Sequence, residues 1–247
     1  MKSIELNKVY QRLIKSPIVF WKSNMTKSYF ITGTDTDVGK TFVTELLLKQ
    51  LNLHQPTIGY KPIAAGAEMT EDGLRNSDAL ILQQSSVSGI DYSTINPICY
   101  QEAIAPHIAA ALHNESLSIE ALSQWWHKVQ HLSPVALIEG AGGWRLPIND
   151  HEFLSDFVKA HQLEVIVVVG MKLGCLNHTL LTLETIRQDG LVIKGWVANQ
   201  LDLPMSNYDE NLAYLKQSIT EPLLGEVKAH QTFSPDQPLF ELDGLLD

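Results

Sequence analysis

Hydrophobic positions along the chain follow two alternating rhythms. Short apolar runs rich in β-branched residues predict strands at Ser28–Thr32, Thr57–Lys61, Val135–Glu139, Val165–Val169, Lys194–Ala198 and Leu223–Val227. Between them the spacing turns helical. Thr41–Leu51 places Phe42, Leu46, Leu47 and Leu51 on one face, and Ser77–Gln84 begins with Ser77 as a candidate N-cap. Further helices are expected over Ile119–Val129, with Trp125 and Trp126 as core contacts, over Asn177–Gln188, and over Tyr208–Gln217. Gly190 stands where a C-cap glycine belongs. The run at 165–169 has no polar alternation, as a strand buried on both faces requires. Strands alternating with helices predict right-handed crossovers, hence an α/β fold with a mostly parallel sheet and helices on both faces. With no repeat and no low-complexity linker, residues 25–247 read as a single domain. Ligands of such sheets sit beyond the carboxyl ends of the strands, which makes the loops there the first places to look for chemistry.

Composition narrows the function classes. The 247 residues are 45% hydrophobic with a formal net charge of −10, a balance that disfavours a nucleic-acid groove. The longest apolar stretch, Val165–Met171, is far shorter than the roughly 20 residues of a membrane span, so no membrane role is expected. No secretory signal is apparent. Two cysteines, Cys99 and Cys175, give no disulfide framework and suit a reducing cytoplasm. Residues 1–24 differ from the rest, with five basic residues against Glu5. They are expected to be a disordered extension or the artefact of an upstream start codon. A short amphipathic helix on Leu6, Val9 and Leu13 is the alternative.

The stretch ITGTDTDVGKTF, residues 31–42, has the context of a phosphate-binding loop: it leaves a strand and opens a helix. Its backbone amides and helix N-terminus make an anion site, Lys40 is placed to reach β- and γ-phosphates, and the Thr41 hydroxyl to hold Mg²⁺. Five residues rather than four separate Gly33 from Gly39, two of them acidic. The loop makes the expected fold P-loop NTPase-type. Three further residues join it at strand or helix ends. Glu139 closes the apolar strand 135–139 ahead of a glycine-rich turn, Asp78 sits in a first helical turn, and Lys61 follows a strand at its carboxyl edge. If Thr41, Asp78 and Glu139 converge, they supply the oxygen ligands Mg²⁺ prefers. Lys61 would then be a second phosphate clamp. The nine histidines make no zinc spacing, and Cys175 has no fixed basic neighbour to activate it.

Seven segments occur in order: YFITGTDTDVGKT, GYKPIAAG, GLRNSDAL, LIEGAGGW, VVVGMKLGCLNH, GWVANQ and PLLGE. Together they resemble the dethiobiotin synthetases, ATP-dependent carboxylases of biotin synthesis, over roughly residues 25–227. The resemblance implies a reaction in which CO₂ and 7,8-diaminononanoate are joined through a carbamate and a carbamic–phosphoric anhydride, with ATP and Mg²⁺. It implies that the long loop serves two ligands. Asp37, Val38, Gly39, Lys40 and Thr41 hold ATP, while Thr36 faces the diamine. Lys61, Lys40 and Thr36 are the implied catalytic residues, and Thr41, Asp78 and Glu139 the Mg²⁺ set. Glu139, Gly140, Ala141 and Gly142 would line the nucleotide. Asn199 and Gln200 would read adenine, with Lys228, Ala229 and His230 flanking it. Gly174, Cys175 and Asn177 would bind the substrate carboxylate across a homodimer interface, giving a site shared between two subunits.

Three positions depart from the pattern. Asp37 replaces the usual Glu, Ala65 stands where Ser is frequent, and Lys228 follows PLLGEV where Pro is usual. Loss of a hydroxyl at Ala65 is expected to cost about 0.5–1.5 kcal/mol of diamine affinity. The competing function is a P-loop switch ATPase of the partitioning type. That class places another Lys early in its loop, whereas residues 34–38 hold none.

Overall fold

The computed structural model describes residues 26–202 and 205–246. The basic segment 1–24, with its proposed helix, lies outside the described residues. In chain order, β1 (Lys27–Gly33) leads into α1 (Lys40–Leu51) and β2 (Thr57–Tyr60). Next come β3 (Ile63–Ala64), β4 (Glu68–Thr70), β5 (Gly73–Arg75), α2 (Ser77–Ser85) and α3 (Tyr92–Ile95). These are followed by β6 (Ile98–Cys99), α4 (Pro106–Leu112) and α5 (Ile119–Val129). The second half carries β7 (Val135–Glu139), α6 (Leu154–Ala160), β8 (Glu164–Met171), α7 (Cys175–Gln188), β9 (Ile193–Gln200), α8 (Tyr208–Ser218), β10 (Leu223–Val227) and α9 (Asp243–Leu246).

Six strands form one sheet in the order β10-β9-β8-β1-β7-β2, every neighbouring pair parallel. This is the α/β architecture expected from the strand–helix alternation, of the P-loop type expected from the loop at residues 31–42. Consecutive residues of β7, and all of β8 after Glu164, are buried. Side chains alternate faces along a strand, so burial at every position means both faces are covered. Val165–Val169, each 0% exposed, thus sit mid-sheet as their unbroken apolar run requires. On the α5 side, Tyr60 meets Trp125 and Trp126 edge-on, and its hydroxyl donates to the Val129 carbonyl at 2.9 Å. The two tryptophans are the helix-core contacts expected of them.

Several local expectations are corrected. The N-cap of α2 is Asn76, not Ser77: the Asn76 carboxamide oxygen accepts from the Ala79 amide at 3.1 Å. An Asn side chain at the cap reaches that amide, while Ser77 is already helical. Lys61 falls one residue past β2, and its amide turns aside to donate to the Ile95 carbonyl at 2.9 Å. Helix α7 begins at Cys175, two residues before the predicted start, because Gly174 takes a left-handed φ of 93° that caps it. Gly190 does end α7 as foreseen, with φ 75° and its amide on the Arg187 carbonyl. The parallel pair β3–β6 and the hairpin β4–β5 have strands of two or three residues, too short to show a period. Helices α4 and α6 are seven residues each and likewise went unforeseen.

Among the described residues no helix is long and apolar enough to cross a membrane, and both cysteines are free thiols.

Candidate active site

Sheet order explains how distant residues meet. β7 lies between β1 and β2, so the end of β7 faces both the loop after β1 and the residue after β2. Ile31 is in register with Glu139, and the Gly140 amide donates to the Ile31 carbonyl at 2.9 Å. Glu139, at 0% exposure, therefore sits between Thr41 and Lys61. The Thr41 hydroxyl donates to Glu139 Oε1 at 2.8 Å, and Lys61 Nζ approaches the same oxygen at 2.5 Å. Lys61 Nζ also donates to the Gly140 carbonyl at 3.3 Å and pairs with Asp78 Oδ2 at 3.2 Å. Asp78 arrives from the first turn of α2, which Asn76 fixes at both ends: its oxygen caps the helix, and its Nδ2 donates to the Ala65 carbonyl at 3.2 Å.

Two buried lysines and two carboxylates set the electrostatics of the site. Burial penalises the Lys61 ammonium, but the combined attraction of Glu139 and Asp78 outweighs it and holds the pKa above the ordinary lysine value. Lys40 goes the other way. Burial, and then repulsion from Lys61, lower its pKa to about 8 despite the nearby acids. Its Nζ folds back onto the Asp35 carbonyl at 3.1 Å. At this site two buried acceptors, Glu139 Oε2 and Asn199 Oδ1, have no hydrogen-bond partner among the described residues. A buried, unpaired carboxylate oxygen is costly unless a ligand satisfies it. With the Thr41 hydroxyl and the Asp78 carboxylate close by, the donor set is all oxygen, which suits a hard divalent cation. Among the described residues no group of three or more His, Cys, Asp or Glu gathers, here or elsewhere, so the set is two carboxylates and a hydroxyl.

These groups open onto a cavity of about 910 Å³ at the carboxyl edge of the sheet, lined by Thr36, Asp37, Gly39, Lys40, Thr41, Lys61, Asp78, Glu139, Ala141 and Gly142. Its rim adds residues that sequence reasoning missed: Phe42, Glu45, Asn76, Ile81, Ala103 to Pro106, and Leu146. Ala65 lines it too. An adjoining cavity of about 430 Å³ shares Asp37, Gly39 and Phe42 and is closed by Asn199, Gln200, Leu201, Asp202, Ala229 and His230. Asn199 is positioned by packing. Gly170 on the neighbouring strand leaves room for Val38, and Asn199 Nδ2 then donates to the Val38 carbonyl at 2.8 Å. A side chain at Gly39, whose φ is 81°, would put Cβ 2.2 Å from that nitrogen. A third cavity, of about 440 Å³, lies at the amino ends of the strands and holds none of the candidate residues.

Six candidates lie off the lining of both cavities. The Lys228 side chain pairs with Glu226 and lies 5.1 Å from the Tyr208 ring. Gly174 and Asn177 are exposed, while the Cys175 side chain is buried at 1% exposure. Val38 and Gly140 contribute carbonyls instead of side chains, to Asn199 and to Lys61.

A family profile described as AAA domain matches residues 27–237. The ATP-dependent dethiobiotin synthetase BioD of Cellvibrio japonicus (strain Ueda107) is 48% identical over 218 residues, covering 88% of this chain and 96% of its own. That of Alteromonas mediterranea is 50% identical over 213 residues, covering 81% and 91%. ATP-dependent dethiobiotin synthetase BioD 1 of Salmonella typhi is 47% identical over 204 residues, covering 82% and 90%. Solved structures align more distantly. Cell division protein ftsY from Thermotoga maritima is 11% identical with a TM-score of 0.45, covering 98% of this chain and 74% of its own.

Proposed function

The chain belongs to the ATP-dependent dethiobiotin synthetase family, and from that membership we propose the reaction it carries out: ATP-driven carboxylation and ring closure of 7,8-diaminononanoate with CO₂. The observation that carries the reading is the convergence of Lys61, Thr41, Asp78 and Glu139 beside Lys40 in one cavity. Residues 25–247 act as one catalytic unit. One amine captures CO₂ as a carbamate, and a carbamate oxygen then attacks the γ-phosphorus of ATP, releasing ADP. The second amine attacks the carbon of the mixed anhydride, phosphate leaves, and the cyclic urea closes.

Each step places negative charge near a lysine. Lys61, held charged by two carboxylates, lies where it stabilises the carbamate and then the transferring phosphoryl group. Lys40 leaves the Asp35 carbonyl for the phosphates when nucleotide arrives. Thr41, Asp78 and Glu139 would hold Mg²⁺, which when bound neutralises phosphate charge; the unpaired Glu139 Oε2 supports this. The smaller cavity suits an adenine base, with Asn199 Oδ1 free to accept from an exocyclic amine. Gly174, Cys175 and Asn177 line neither cavity, which supports the reading that they serve the site of a second copy in a homodimer. A buried Cys175 side chain leaves only its backbone to do so. The reading places the enzyme in the cytoplasm, whose reducing conditions suit the free thiols Cys99 and Cys175.

Incubation with ¹³C-bicarbonate, ATP, Mg²⁺ and the diamine tests the reaction. Dethiobiotin heavier by one carbon label is expected. ATP hydrolysis without any labelled product would overturn the reading and favour a switch ATPase.

A further inference from the structure

We propose that Lys172 and Asp35 form a strut locking the phosphate loop to the turn that starts α7, which makes Lys172 a positioning residue for the reaction. Lys172 Nζ stands 2.9 Å from Asp35 Oδ2. The other carboxylate oxygen, Oδ1, accepts the Thr36 amide at 2.8 Å, and the Asp35 carbonyl accepts Lys40 Nζ. One residue thus gathers Lys172, Thr36 and Lys40. At its far end, Lys172 is fixed by its own backbone: its amide donates to the Gly170 carbonyl, and its carbonyl accepts from Cys175 at 2.9 Å, closing the turn before α7.

The two loops leave adjacent strands, β1 and β8, and the strand ends are already tied. The Thr34 amide donates to the Val168 carbonyl at 3.0 Å, and Val38 packs on Gly170, where any Cβ would stand 2.7 Å from it. Between those anchors the loop carries Asp37 in the left-handed region at φ 57°. The Lys172–Asp35 pair spans this interval. Its side chains are 40% and 43% exposed, and a pair so exposed adds little to global stability. Its geometric effect is local: it sets where Thr36 points. The inference rests on the reading above only in assigning Thr36 to the diamine and Lys40 to the phosphates.

A double-mutant cycle with Lys172→Ala, Asp35→Ala and both together tests it. The first readout is amide hydrogen exchange over residues 34–38 in the unliganded protein. Exchange is expected to rise in each single variant and to rise no further in the double. The second is the kinetics of dethiobiotin formation. Each single variant is expected to raise KM for the diamine by about threefold to fivefold, the scale of one exposed ion pair, with kcat unchanged. The double should match a single, and Lys172→Arg should restore KM. Unchanged exchange, or single effects that multiply in the double, would overturn the strut. If the wild-type protein makes no dethiobiotin, the proposed function fails while the exchange cycle still decides the strut.

Discussion

Replacing Lys61 with methionine removes the cation between Glu139 and Asp78 but keeps its volume. Glu139 is 0% exposed and keeps only the Thr41 hydroxyl, because Lys61 Nζ is its other hydrogen-bond partner and Oε2 has none. Breaking a buried pair by removing one partner costs about 3–5 kcal/mol, since a charge is left unpaired. The lower end applies here, as Thr41 remains and Asp78 is 40% exposed. For a chain of this length 1 kcal/mol moves the melting temperature by about 2–4 °C, so a fall of about 6–12 °C is expected. Adding Glu139→Gln removes the orphaned charge, and the double variant should recover most of that loss. Thermal melts by circular dichroism without nucleotide or metal read this directly. Turnover should fall by about 10²–10³-fold in Lys61→Met and stay low in the double, because stability returns and the charged clamp does not. If Lys61→Met melts with the wild type, or if the double is no more stable than the single, the buried-pair argument is refuted.

The same geometry makes four further predictions. Gly39→Ala forces a side chain into a left-handed backbone position, costing about 1–2 kcal/mol, and pushes aside Asn199; nucleotide binding measured by calorimetry should be lost. Ala65→Ser restores a hydroxyl on the cavity wall and should lower KM for the diamine by up to about tenfold. The Lys40 pKa of about 8 lies below its unfolded value, so the folded chain binds fewer protons than the unfolded one as pH rises through that window. Stability from this group therefore rises with pH above about 8, while affinity for a non-hydrolysable ATP analogue falls from pH 7 to pH 9. Asp78→Asn should raise the Mg²⁺ concentration needed for half-maximal turnover, and an unchanged titration would remove Asp78 from the ligand set.

What was legible in the sequence was whatever is contiguous. Gly39-Lys40-Thr41 follows a strand and opens a helix within a dozen residues, so local pattern suffices to place an anion site. Glu139 is legible because an acid at the end of an apolar run is conspicuous. Its complete burial is not, because that follows from β7 lying between β1 and β2, an order no local period encodes. The Asn76 cap was misassigned by one residue because Asn and Ser are both good caps and stand side by side. The rim from Ala103 to Pro106, and Leu146, come from irregular segments with no rhythm to read. The Lys172–Asp35 pair joins residues 137 positions apart, a contact that only the adjacency of β1 and β8 brings about.

The central claim is that ATP is spent on the diamine. The most direct measurement is phosphate release by the purified protein with ATP, Mg²⁺ and bicarbonate, with and without 7,8-diaminononanoate, alongside dethiobiotin by mass. Phosphate that appears only with the diamine, mole for mole with dethiobiotin, is the expected result. Phosphate release indifferent to the diamine would contradict the account.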